Sequence, residues 1–157
     1  MGSYAGLAAR GAVASILGSV IQTGVGLALD KLLLPPRQHN NIAPRLIKRL
    51  AQWTGRRGSA PRDWTLGTLF HLGYGAGWGV LLGLLGRLTG VSPLPLGGIG
   101  GALVYLAAFS SRGVGTLTGT EPPPRLRDWR KQVSLVAVSS TFALATASLN
   151  DRLARRS

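Results

Sequence analysis

The chain has 157 residues, with 18 Lys and Arg against five Asp and Glu, a net charge of +13 and no cysteine. Disulfides, thiolate metal sites and Cys nucleophiles are thereby excluded, and five acids with two histidines are too few and too scattered for a zinc or di-metal carboxylate site. The charge alone would suit a nucleic-acid binder, but the basic residues are swept out of long uncharged runs instead of interleaving with core residues on one face, so nucleic acid is not an expected partner.

Those runs cover residues 11–29, 64–86, 88–111 and 132–150, and all five acids lie outside them. A bilayer core is ~30 Å thick and takes roughly 20 apolar residues of helix to cross. The expected fold is therefore all-α: one polytopic membrane domain over residues 1–157, with four transmembrane helices and a short interfacial amphipathic helix.

The first helix is expected from about Tyr4 to Leu34. Arg10 ahead of an apolar stretch imitates a signal peptide, but no small-x-small cleavage site closes the stretch, so the segment reads as an uncleaved helix. Pro35 and Pro36 end it, because two N–H groups are missing and the residue before a proline is pushed out of helical geometry. Between about residues 42 and 53, Ile42, Leu46, Ile47, Leu50 and Trp53 recur at helical spacing, with Arg45, Lys48 and Arg49 on the opposite side. Asn41 is the expected N-cap and Pro44 fits the first turn. This pattern describes a helix lying in the headgroup layer, with Trp53 as its anchor. A solvated basic loop is the plainer alternative. Arg37, Arg45, Lys48, Arg49, Arg56 and Arg57 are the candidate contacts to anionic lipid headgroups, although the same charges also suffice as a topology signal.

The second spanning helix is expected over about 64–88, preceded by Asp63 and with Trp64 at interfacial depth. Ser92, Pro93 and Pro95 break the pattern before a third helix over about 96–112. Gly113–Pro124 forms a connector whose Gly-x-Gly lacks the preceding strand that a nucleotide loop needs. Asp128 to Lys131 mark another interface. A fourth helix over about 132–149, rich in Ser, Thr and Ala, should pack inside the bundle. With four spans the first and third connectors share a side, and with their flanks they hold thirteen basic residues against five on the other side. The positive-inside rule then leaves both termini outside the cytoplasm.

His71 is the one ionisable side chain well inside an uncharged run. Tyr74 and Trp78 share its helix face at i+3 and i+7. It has three open readings: a neutral hydrogen-bonded histidine, a proton-handling group, or an axial ligand to haem or chlorophyll, with Gly67 one turn earlier making room for a ring. No second intramembrane histidine completes a bis-His site. Asp30, beside Lys31 at the end of the first helix, is a candidate companion to His71 or a simple boundary residue. Gly73, Gly75, Gly77, Gly79 and Gly83, with Gly97 and Gly101, form small-xxx-small pairs that let helices approach closely, within one chain or between copies. No nucleophile with a base and an orienter emerges, so no catalytic site is expected.

Leu32–Arg37 (LLLPPR), with Asp30 before it, and His71–Gly79 (HLGYGAGWG) resemble the small YagU-like bacterial inner-membrane proteins. The resemblance covers roughly residues 5–110. It implies a multi-pass protein of the bacterial cytoplasmic membrane, without established chemistry and loosely associated with stress tolerance. The expectation is a non-enzymatic membrane component: an accessory subunit of a larger complex or a self-associating protein. Its partners would be the lipid bilayer, anionic headgroups, and other subunits or copies of itself. The alternative is a cofactor-binding or proton-conducting bundle centred on His71.

Overall fold

The computed structural model describes residues 4–39 and 42–156, so the expected cap Asn41 lies outside the described residues. The elements in chain order are α1 (Tyr4–Leu33), α2 (Ile42–Trp53), α3 (Ala60–Thr89), α4 (Pro93–Phe109), the single turn α5 (Val114–Leu117) and α6 (Trp129–Arg155). Short 3₁₀ turns stand at Pro36–Gln38 and Pro124–Leu126, and no strand occurs among the described residues. Four helices are long and apolar enough to cross a membrane, the third counted through α4 and α5 to Leu117.

The sequence boundaries shift for identifiable reasons. α3 starts four residues before Trp64, at Ala60. Ser59 is extended (φ −127°, ψ 144°) as the N-cap, Pro61 occupies the first turn, and Asp63 lies within that turn near the helix's positive end. α4 starts at Pro93 instead of Leu96, because Pro93 and Pro95 fall where N–H groups would be orphans anyway. The prolines read as breakers are thus the helix's first turn. α4 ends at Phe109, short of Arg112, where Ser110 turns to extended backbone. Its last carbonyl is taken by the Arg127 guanidinium, whose Nη1 donates to Phe109 O at 2.7 Å, while Nη2 donates to Thr116 Oγ1 at 3.3 Å. α6 begins three residues early at Trp129, capped by Asp128 Oδ1 accepting from Arg130 N at 2.7 Å, and continues past Leu149 to Arg155.

α6 is the most deeply packed of the long helices. Ser134, Leu135, Val138, Ser139, Phe142, Ala143, Thr146 and Ala147 make one buried stripe at i, i+1, i+4, i+5 spacing. It is flanked by α1 and α4, while α3 packs mainly on α1 and touches α6 where Gly75 faces Phe142 and Gly83 faces Asn150. Neighbours run antiparallel, as the contacts show: Gly11 meets Gly79, Gly18 meets Thr146, Gly26 meets Val138, and Gly101 meets Ser140. α3 and α4 touch chiefly near their shared turn, where Leu96 reaches Gly86 and Leu82 reaches Gly100. There Leu82, Leu96, Val104, Phe142, Ala143 and Ala147 form the apolar core, with Trp78 and Leu85 against it.

The first and third connectors meet at the opposite end. Lys131 Nζ donates to Gln38 O at 2.7 Å, and Glu121 Oε1 stands 3.4 Å from Lys131 Nζ and 3.6 Å from Arg45 Nη1. Only 2% of the Glu121 side chain and 6% of the Lys131 side chain are exposed. α2 lies across α3 at this end, and an ideal Cβ on Gly67 would stand 2.7 Å from the backbone of Pro44.

Candidate functional site

Near the core the helices are held close by Gly79, Gly97 and Gly101; toward the connectors they diverge around a cleft of about 550 Å³. That volume falls among ligand-binding cavities, which run from roughly 300 to 1,000 Å³. Its walls come from all four long helices and from α2 and the connector. Asp30 of α1 and His71 and Tyr74 of α3 all line it. Asp30 is buried, His71 and Tyr74 half-buried. The exposed Val20, Thr23 and Leu27 of α1, with Trp64, Thr68 and Phe70 of α3, also line it, so it opens on the side of the bundle.

Two polar groups give the cleft chemical character beyond its shape. Ser19 Oγ on α1 and Ser139 Oγ on α6 are buried, line the cavity, and have no hydrogen-bond partner. A buried hydroxyl left unpaired costs about 1–3 kcal/mol, so both invite a hydrogen bond from a molecule in the cleft.

Trp78, grouped with His71 and Tyr74 by spacing, falls outside the cleft. It packs on the apolar core, edge-on to Tyr74 with ring centroids 6.2 Å apart. Tyr74 in turn stacks on Phe70 at 5.9 Å. The seven glycines divide into two populations. Gly75, Gly79 and Gly83 are buried against Ser19, Gly11 with Ser15, and Asn150, and Gly97 and Gly101 receive Leu144 and Ser140 of α6. Gly73 and Gly77 face outward with nothing within 4 Å. The room for a ring beside Gly67 is filled by Ala43 and Pro44 of α2.

The basic residues divide likewise. Arg37, Lys48, Arg49, Arg56 and Arg57 are exposed. Arg45 is drawn into the connector junction, where it donates to the carbonyls of Arg37 at 3.3 Å and His39 at 3.2 Å and faces Glu121. Glu121, Arg127 and Lys131 are structural residues that charge counting alone does not single out. The signal for Lys131 was nonetheless present: it stands three and four residues before Ser134 and Leu135, on the buried stripe of α6.

Fold and cleft together define an all-helical protein with four helices long and apolar enough to cross a membrane and a cavity open on its side. No protein-family model matches the chain, and no curated protein or solved structure shows significant similarity to it.

Proposed function

We propose that the chain is a non-enzymatic multi-pass protein of the bacterial cytoplasmic membrane, as its resemblance to YagU-like proteins suggests, and that it holds an amphipathic, lipid-like molecule in the side-opening cleft. The observation that carries this reading is the union of an apolar, laterally open cavity with the buried, unpartnered hydroxyls of Ser19 and Ser139. An apolar tail entering from the membrane meets Leu27, Val104 and Phe142, and polar atoms along it meet Ser19, Ser139, His71 or Asp30. In this orientation α2 lies in the headgroup layer, the basic connectors face the cytoplasm, and both termini lie outside it.

Extraction into native-lipid particles, exchange into detergent and mass spectrometry of what stays bound test the reading. One amphipathic molecule should remain per protomer. Thr68→Trp places bulk at the exposed rim of the cleft without touching its buried wall. It should lower occupancy roughly tenfold, as excluding about two methylenes at ~0.8 kcal/mol each would do. Unchanged occupancy with an unchanged melting temperature refutes the proposal.

The outward pair Gly73 and Gly77 favours a second role in the same protein, self-association. They are exposed four residues apart and are bordered by exposed Leu69, Phe70 and Leu81. Small residues at that spacing admit a close helix–helix approach in lipid. Gly77→Ile should leave monomers where the parent chain sediments as a dimer in mild detergent, with helix content unchanged. Identical sedimentation of the two proteins would remove the self-association role.

A further inference from the structure

Beside the cleft, separated from it by α2 and the turn before Glu121, is a second cavity of about 420 Å³. Arg45, Lys48, Arg49 and Gln52 line it from α2, and Gly119 and Thr120 close it from the connector. Residues 45, 48, 49 and 52 stand at i, i+3, i+4 and i+7, so one helix face presents three cations to one space. Glu121 and two backbone carbonyls answer the Arg45 charge. Among the described residues no carboxylate comes within 4 Å of Lys48 or Arg49. Like charges this close on a helix repel unless an anion sits between them.

Thr120 lines both cavities, and on α2 Pro44 and Leu46 line the cleft while Arg45 and Lys48 line the basic pocket. An apolar space and a cationic space thus share a wall at the end of the bundle where the connectors meet. We infer that the pocket formed by Arg45, Lys48, Arg49, Gln52 and the Gly119–Thr120 turn receives the phosphate of an anionic lipid whose apolar part occupies the cleft. The inference rests on the proposed reading of the cleft and adds to it the ligand's class: a phosphate-bearing, net-negative lipid instead of a zwitterionic one. Lys48 and Arg49 supply the charge, and Gln52 supplies a neutral hydrogen-bonding group. Thr120, whose hydroxyl donates to Gly115 O at 3.1 Å, closes the wall, and Arg45 is held in place by Glu121.

The test uses the full chain in nanodiscs of phosphatidylcholine containing a minority of phosphatidylglycerol, followed by native mass spectrometry of the lipid retained. Lys48→Gln/Arg49→Gln removes the two unanswered charges from exposed positions. Arg125→Gln/Arg130→Gln removes two exposed charges at the same end of the bundle, outside the pocket and outside the candidate headgroup contacts. The preference for phosphatidylglycerol should fall roughly thirtyfold in the first variant, as losing two cations at about 1 kcal/mol each near an anionic headgroup implies, and should persist in the second. Equal falls in both variants would overturn the site in favour of diffuse attraction, as would no fall in either. Displacement of the retained lipid by glycerol phosphate or inorganic phosphate would overturn the lipid source. Thr68→Trp separates the two readings. Lipid lost in Thr68→Trp but insensitive to Lys48 and Arg49 sinks the pocket and leaves the cleft. Phosphatidylglycerol kept in Thr68→Trp yet lost in Lys48→Gln/Arg49→Gln sinks its coupling to the cleft.

Discussion

Glu121→Gln is expected to destabilise the protein by about 3 kcal/mol, because it leaves buried Lys131 facing an uncharged amide. Glutamine preserves the shape and volume of the side chain, so the effect isolates charge. Lys131 keeps its hydrogen bond to Gln38 O, and Asp30 adds its negative field, which holds the cost at the lower end for a broken buried pair. Arg45 loses its partner too, but with 38% of its side chain exposed it recovers water. The double variant Glu121→Gln/Lys131→Met should regain more than half of the loss, since an apolar side chain of similar length needs no counter-charge there. Unfolding titrations in mixed micelles measure both proteins. A Glu121→Gln variant as stable as the parent would mean that the third connector is not docked between α2 and α6. The same substitution releases Arg45, so it should also loosen α2 over the cleft, visible as faster proteolysis at the loop following Trp53.

The spans were legible because charge avoidance is a coarse property of whole segments. Exclusion of Lys, Arg, Asp and Glu over about twenty residues reflects the cost of burying a charge, and that cost holds whatever the helices pack against. Boundaries were less legible. Ser92-Pro93-Leu94-Pro95 carries two prolines that end a helix in one register and begin it in another, and only the observed hydrogen bonds decide which. The candidate site was half legible. His71, Tyr74 and Asp30 carry polar side chains in or beside uncharged runs, and all three line the cleft. Ser19 and Ser139 are two among many serines, and only the crossing of α1 and α6 with α3 makes them matter. Trp78 shows the limit of face arguments: at i+7 it shares the side of His71 but sits two turns nearer the core. Glu121 is one of two acids in the third connector, with Asp128, and no sequence pattern singles it out. Its role required knowing that the first and third connectors touch, which no local pattern encodes.

The glycines of α3 supply the sharpest contrast, because Gly77 and Gly79 are identical in type, two residues apart, and opposite in environment. An ideal Cβ on Gly79 would fall onto the carbonyl oxygen of Gly11 and 2.5 Å from the Cβ and Oγ of Ser15. The reciprocal Cβ on Gly11 would lie 2.5 Å from Gly79 O and 2.9 Å from its carbon. Backbone cannot swing aside as a side chain can, so Gly79→Ala forces α1 and α3 apart over the turns that also position Ser19 against Gly75. Overpacking of this kind costs roughly 1–3 kcal/mol, and Gly79→Leu should prevent the bundle from closing. Gly77→Ala meets open space, so only the helix propensity of alanine over glycine acts, a gain of up to about 1 kcal/mol. The two alanine variants should therefore differ by about 3 kcal/mol and have opposite signs, measured by the same titration at protein concentrations where the chain is monomeric. Equal effects would place the α1–α3 crossing elsewhere and remove the constriction that bounds the cleft on its core side. The expected asymmetry also explains why a glycine-rich span can serve two purposes. One face brings α1 near enough to seal the bundle below His71, and the other remains free to meet lipid or a second copy of the chain.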